Sequence, residues 1–448
     1  MRNAEVKYRI LQAAVWVKLV IFVGVALSSL VSGPARSQEP APAEAKLRIA
    51  RLIEKLGSAS YEERTEANDD LAQLGFESRK QLEEATESSD PEIRLRAKDL
   101  LLRLKVRELW SASPVNYEGQ KITASQVLTK LSEQTGNHVL VGDQYGTFHD
   151  QEVNLNYPQG EFWQVLDDLC QQSGNRVRPH YDSRSPGLVV VQGSPGKYPT
   201  AYSGPVRTQI TGARRAFTEE LDYDDMGSEL THTFQLNLQM MWEDRFKLVA
   251  YRAQPDLVDA VTDTGVHLSA TQSSGSGWNV ASTGTRQLTM SLRLHPPSTR
   301  AKSLDILKLK WGLIAVGDIA HLDVTDLESK EPHYQDDVEV VVESVVPGQN
   351  SRYEVTLVVT RELVLPEPQE VLFQENDVEL FDAEGHAFRK QGQTNSLSEH
   401  GAKMKISFAG ETAQSAPKVL RFVYPRIRAQ KDVEILFKDV PLPVGKPE

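Results

Sequence analysis

Cysteine is almost absent from this 448-residue chain: Cys170 stands alone. A single thiol cannot close a disulfide within the chain, so stability must come from packed apolar cores. It also excludes CxxC redox or zinc pairs. Cys170 lies among apolar residues of a predicted helix, the setting of a buried, inert thiol. A basic excess is missing too: 50 Lys and Arg stand against 62 Asp and Glu, a net charge of −12. That argues against nucleic acid, whose phosphates need a basic face, and against a polybasic membrane-surface mode. Acidity of this size is ordinarily a device for solubility.

Catalytic signatures are also missing. No strand runs into a phosphate-cradling glycine loop, and there is no His-Glu-x-x-His pair and no Gly-x-Ser-x-Gly elbow. The ten histidines are scattered, with none paired at metal-ligand spacing. Asp222-Tyr223-Asp224-Asp225-Met226-Gly227 has the outline of a calcium loop. However, Met226 stands where a ligand is needed and Thr233 where the closing glutamate belongs, which excludes an EF-hand. Glu362 and Glu367 are a conceivable acid/base pair, but nothing selects them. The six tryptophans are dispersed, and Trp278, in a Ser/Thr/Gly-rich stretch, is the candidate for sugar stacking. No catalytic, cofactor-binding or metal-ligating residue is assigned, and no cofactor is expected.

The longest apolar run, Leu19 to Ser32, is shorter than the roughly 20 residues a membrane-spanning helix needs. Arg2, Lys7, Arg9 and Lys18 precede or open it, and Ala35-Arg36-Ser37 offers small residues at the positions a signal peptidase reads. Residues 1–37 therefore read as a signal peptide, with an uncleaved anchor or a buried core helix as the alternatives. Residues 38–45 (QEPAPAEA for Gln38 to Ala45) read as a linker.

From 46 to 106 the period is helical. Ile49, Leu52, Ile53 and Leu56 share one face. Ser60 and Glu63 have capping-box spacing. Asp90-Pro91 opens a further helix, with proline where its missing N–H costs nothing. Ile93, Ala97, Leu100, Leu101 and Leu104 form that helix's apolar stripe. Ala67, Leu71, Leu74-Gly75 and Asp90-Pro91-Glu92-Ile93-Arg94 with Ala97 make this segment resemble a HEAT-type helical repeat, a family that implies protein–protein contact.

An internal repeat follows at 112–195. Leu128-x-x-Leu131-x-x-Gln134-Thr135-Gly136-Asn137-x-Val139 recurs as Leu166-x-x-Leu169-x-x-Gln172-Ser173-Gly174-Asn175-x-Val177. Each copy reads as a helix end, a left-handed glycine stop and a strand. Thr123 and Gln126 predict a capping box for the first helix, and Ile122 and Val127 a hydrophobic staple. With the alternation at Val153, Leu155 and Tyr157 and a closing hairpin, the order is β-α-β, β-α-β-β. That order and its helix ending resemble the short N-terminal domain of secretins and TonB-dependent receptors. The resemblance implies a periplasmic module that docks other envelope proteins. Nothing downstream looks like a transmembrane barrel or a secretin pore.

Beyond residue 200 the period becomes two. Phe234, Leu236, Leu238 and Met240 alternate with polar residues. So do Leu288 to Leu294, Val338 to Val342, Tyr353 to Val359 and Val433 to Phe437. Such alternation argues antiparallel sheets buried on one face. Two β-sandwiches are expected, at 200–330 and 335–445, divided at the charged stretch Glu328 to Asp336. Ser269 to Gly284 reads as a long inter-strand loop.

The expected fold class is multi-domain α+β: a small helical segment, a duplicated β-α-β domain, then two antiparallel sandwiches. The function expected is that of a non-enzymatic, exported interaction or scaffold protein, periplasmic or extracellular, binding envelope proteins. It would contact membrane only if the signal segment stays uncleaved. The alternatives are a carbohydrate- or calcium-binding surface protein and a hydrolase with an unrecognised site.

Overall fold

A computed structural model describes residues 42–142, 151–180, 187–221, 224, 228–271, 277–281, 285–361, 377–398, 401–410 and 416–443. The expected signal segment at 1–37, most of the calcium-like turn, Glu362 and Glu367 lie outside the described residues. The chain forms two compact units, divided after Leu104.

The first unit is helical: α1 (Pro42–Lys55), α2 (Tyr61–Leu74), a 3₁₀ turn (Gly75–Ser78), α3 (Arg79–Ala85) and the start of α4 (Pro91–Leu109). The stretch expected as a linker to residue 45 is helical from Pro42. Proline is tolerated at the first helical position, and the Ala-Glu-Ala that follows favours helix. Ser60 accepts the N–H of Glu63, and the Asp90 carboxylate accepts those of Glu92 and Ile93. Both helices are thus capped at their N-termini, but the Glu63 carboxylate accepts from the Ser58 hydroxyl, so the expected capping box with Ser60 closes in one direction only. Ile49, Leu52, Leu56, Ala67, Leu71, Leu82, Ala97, Leu100 and Leu104 form one core.

The second unit opens with α/β structure: β1 (Pro114–Thr123), α5 (Ala124–Thr135), β2 (Val139–Val141), β3 (Glu152–Glu161), α6 (Phe162–Ser173), β4 (Asn175–His180) and β5 (Gly187–Gln192). Strand β1 pairs antiparallel with β3. Strand β5 lies between β2 and β4, parallel to the first and antiparallel to the second. The two copies of the sequence repeat use their shared residues alike. Gly136 and Gly174 both sit at positive φ, with their N–H groups on Ser132 O and Cys170 O. Gln134 brackets both backbone groups of Asn116 at 2.9 and 3.0 Å, as Gln172 brackets those of Asn154 at 2.9 and 2.8 Å. Thr135 and Ser173 each return a hydroxyl to the carbonyl four residues back. The capping box of α5 closes in both directions.

The rest is β: β6 (Thr200–Ser203), β7 (Val206–Leu221), β8 (Ser228–Trp242), β9 (Lys247–Arg252), β10 (Asp256–Thr262), β11 (Trp278–Val280), β12 (Gln287–Leu294), β13 (Ser303–Val324), β14 (His333–Gln335), β15 (Val338–Pro347), β16 (Arg352–Arg361), β17 (Asp377–Phe381), β18 (Arg389–Ser398), β19 (Gly401–Ala409) and β20 (Val419–Pro441). One sheet runs β12-β8-β7-β6 and another β14-β15-β16-β19-β18. A third runs β11-β9-β13-β20-β17, with β10 also on β13.

This pairing contains a second duplication. Strands β7, β8, β10, β12 and β13 reappear in the same order and pairing as β15, β16, β17, β19 and β20. The β7–β8 ladder has a bulge between Ile210 and Gly212, opposite Leu238 and Asn237. The β15–β16 ladder has its bulge between Val342 and Ser344, opposite Leu357 and Thr356. Leu238 then faces Met290 on β12, as Leu357 faces Met404 on β19. The turns after β10 and β17 match bond for bond. Gly265 N–H donates to Thr262 O and Leu268 N–H to Ala260 O, while Gly385 and Phe388 donate to Asp382 O and Leu380 O.

The duplicated copies exchange strands. Strands β13 and β20 pair antiparallel over their full length, from Ser303 with Pro441 to Val324 with Leu420. Leu304, Leu307, Leu309 and Trp311 of β13 enter the first core, whereas Ala320, Leu322 and Val324 enter the second. Reciprocally, Leu420, Phe422 and Tyr424 of β20 enter the second core, and Val433, Ile435, Phe437 and Val440 the first. The expected division at 330/335 therefore needs correction. Two cores exist, but the end of the chain completes the first one, because β20 is long enough to cross both. The expected loop Ser269 to Gly284 also contains β11, whose Trp278 pairs with Arg252 on β9.

Candidate functional site

The α/β domain is fixed to the β half around one buried carboxylate. Glu243, fully buried, accepts from Ser113 N at 2.8 Å, Asn137 Nδ2 at 3.1 Å and Arg245 Nε at 2.8 Å, and also from the Ser113 hydroxyl. Arg245 continues to the carbonyls of Glu108 and Ser111. Trp163 donates its indole N–H to Pro205 O at 2.9 Å. A buried charge is tolerated only when so fully hydrogen-bonded, and the result is a stiff junction.

Beside this junction lies a cavity of about 700 Å³, walled by α6, β4, the segment Pro195 to Tyr198, and the outer face of β7, β8 and β12. That volume is in the usual range for small-molecule sites. Its floor holds Asp167 and Cys170. Arg207 Nε lies 3.0 Å from Asp167 Oδ2, an ion pair not aligned as a hydrogen bond. Tyr202 donates its hydroxyl to the same oxygen at 2.8 Å. The Arg207 guanidinium also covers the ring of Trp163, 5.2 Å from its centre. Burial raises the Asp167 carboxyl above its ordinary range, against the pull of Arg207 and Tyr202. Burial, together with the Asp167 charge, pushes the Cys170 thiol up to about 12. A thiol so buried and so shifted is poorly suited to act as a nucleophile.

The rim is different in character. Arg176 and Arg178, two apart on β4, point to one face, and Lys197 joins them in the lining. All three are exposed and have no acidic partner among the described residues. Apart from Arg207, the β-sheet wall is built of amides and a hydroxyl: Gln209, Thr211, Gln239 and Gln287, with Gln209 Nε2 on Thr200 Oγ1 at 3.1 Å. Tyr198 and Tyr202 stand at the mouth, 43% and 38% exposed. The arrangement offers guanidinium forks, an ammonium, amides and phenol rings, and a single acid already paired.

No family model matches the chain, and no curated protein matches it.

Cys170 is buried, as the sequence predicts, but also lines the cavity. Trp278, the expected stacking residue, has the Arg252 guanidinium over its ring, 5.7 Å from the centre, so that face is covered. Asp382, Glu384 and His386 place ligand atoms within 4.8 Å of one another, a grouping the sequence reading missed. Asp382 Oδ1, however, accepts the N–H groups of Glu384 and His386. The Thr262 hydroxyl does the same for Val266 in the equivalent turn, so the carboxylate serves as a turn cap. Among the described residues, no helix is long and apolar enough to cross a membrane.

Proposed function

We propose that this chain is an exported, non-enzymatic binding protein of the cell envelope. In this reading the helical unit is a HEAT-type segment and the duplicated α/β part is a module of the secretin and TonB-receptor short N-terminal type. The β half is a pair of strand-exchanged sandwiches. One observation carries the binding role. In this cavity the Asp167 carboxylate is held by Arg207 and Tyr202, while Arg176, Arg178 and Lys197 on the rim are exposed and have no acidic partner among the described residues. Binding sites need unpaired recognition groups, whereas catalysis needs a poised nucleophile or base.

Export is tested by fusing residues 1–37 to a reporter enzyme that becomes active only after its disulfides form outside the cytoplasm. Activity in whole bacteria is expected, and its loss when Leu19 to Ser32 is interrupted by charges. An inactive fusion contradicts the reading.

A further inference from the structure

The two copies of the β module allow a comparison of the same face in two settings. In the second copy, this face carries cross-strand ion pairs: Lys403 with Glu343 at 2.6 Å and Lys405 with Glu354 at 2.9 Å. That is how a solvated sheet face is usually furnished. The equivalent positions in the first copy, matched by register and bulge, are Thr289, Thr211, Ser291 and Gln235. At these four positions each charge gives way to a hydroxyl or amide, while Arg214 and Arg293 flank Gln235 in register. Gln235 and Ser291 are already linked at 2.8 Å, and Ser291 to Asn237 at 3.1 Å. The cavity is lined by one end of this face, Gln209, Thr211, Gln239 and Gln287, with Arg207 at its floor.

We infer that the cavity between α6, β4 and the β7–β8–β12 face binds a carboxylate-bearing glycan. This rests on the binding reading above. Amides and hydroxyls in a row match sugar hydroxyls, which donate and accept in turn. Guanidinium groups such as Arg176 and Arg178 match carboxylates as two-pronged donors. Exposed phenol rings such as Tyr198 offer an apolar face with a polar edge, suited to a pyranose ring. An acidic peptide fits less well. It would call for a free sheet edge or apolar side-chain pockets, and this wall is the polar face of a sheet already paired on both sides of β7 and β8. The acidic balance of the whole chain makes a local cluster of cations with no acidic partner among the described residues stand out further.

The test is calorimetric titration of the purified full chain with tetragalacturonate, its neutral methyl ester and inorganic phosphate. Saturable binding of tetragalacturonate is expected. It should weaken at least tenfold for the methyl ester and for the triple variant Arg176→Gln, Arg178→Gln, Lys197→Gln, while phosphate gives no heat. The replaced side chains are exposed, and an unchanged thermal transition confirms that the variant folds. Gln239→Leu should also weaken binding of the acid and the ester alike. Equal binding of acid and ester, or an undiminished triple variant, overturns the assignment. So do phosphate binding as tight as the glycan and a flat trace with every probe. These failures would leave the export test untouched, so the two readings fall separately.

Discussion

Glu243 is the residue on which the junction of the second unit depends. It is fully buried, and its carboxylate joins Ser113, Asn137 and Arg245. Removing one partner of a buried pair leaves the other uncompensated and costs about 3–5 kcal/mol. Glu243→Ala should lower stability by that order, read from the denaturation midpoint, and Glu243→Gln by less. A neutral Glu243→Ala would show that the network is decorative. Gly204 is equally demanding: its φ is +57°, and an added Cβ would lie 2.1 Å from Trp110 O. Gly204→Ala must move backbone and should cost about 1–3 kcal/mol, measured the same way. At Asp323, the Arg421 hydrogen bonds hold the carboxyl below its ordinary range, against burial and helped by the Arg421 and His321 charges. A depressed carboxyl stabilises above its unfolded pKa, and that contribution is lost as pH falls through the folded value. Both side chains are about a third exposed, so the effect stays under about 1 kcal/mol. Asp323→Asn should flatten the acid limb of the stability curve by that small amount, and an unchanged limb counts against it. These residues could not be found in the sequence, because the partners of Glu243 lie at Ser113 and Asn137, far away along the chain.

Among the elements, the crossing of β13 and β20 has the clearest consequence. Ending the chain at residue 430 removes Val433, Ile435, Phe437 and Val440 from the first core. Each buried apolar side chain is worth roughly 1.5–3 kcal/mol, so the loss approaches the total stability of a typical domain. Limited proteolysis of that truncation should open strands β7 to β12 first, with β15 to β19 cut only afterwards. Protection of the first set and cleavage of the second would contradict the exchange. The alternation at Val433, Ile435 and Phe437 did reveal a strand. It could not say which core the strand enters, because a period of two fixes the buried face and not the partner. The repeat at 128–177 was legible because a helix stop needs particular residues, Gly136 and Gly174. The duplication of the β strands was not, because apart from a few positions such as Met290 and Met404 it keeps only size and burial: Trp311 answers to Tyr424 and Leu236 to Val355.

For the whole molecule, the shared ribbon predicts cooperative melting of the β half. Neither core is complete without the other copy's strand, so calorimetry should give one transition for them, with calorimetric and van't Hoff enthalpies in agreement. Two separated β transitions would argue for independent domains. The site was hidden at this scale for the same reason as the exchange. Arg176, Lys197 and Gln239 are unremarkable alone, and the fold alone gathers them at one cavity. The expectation of an exported binding protein, drawn from an apolar leader and an acidic composition, could not point to a place. The most direct measurement of that place is amide chemical-shift mapping of the protein during titration with tetragalacturonate. Perturbations are expected to concentrate at Arg176, Arg178, Lys197, Gln209 and Gln239, with the second copy's Lys403 and Lys405 unmoved. Shifts centred on the second copy, or on the Asp382 turn, would contradict it.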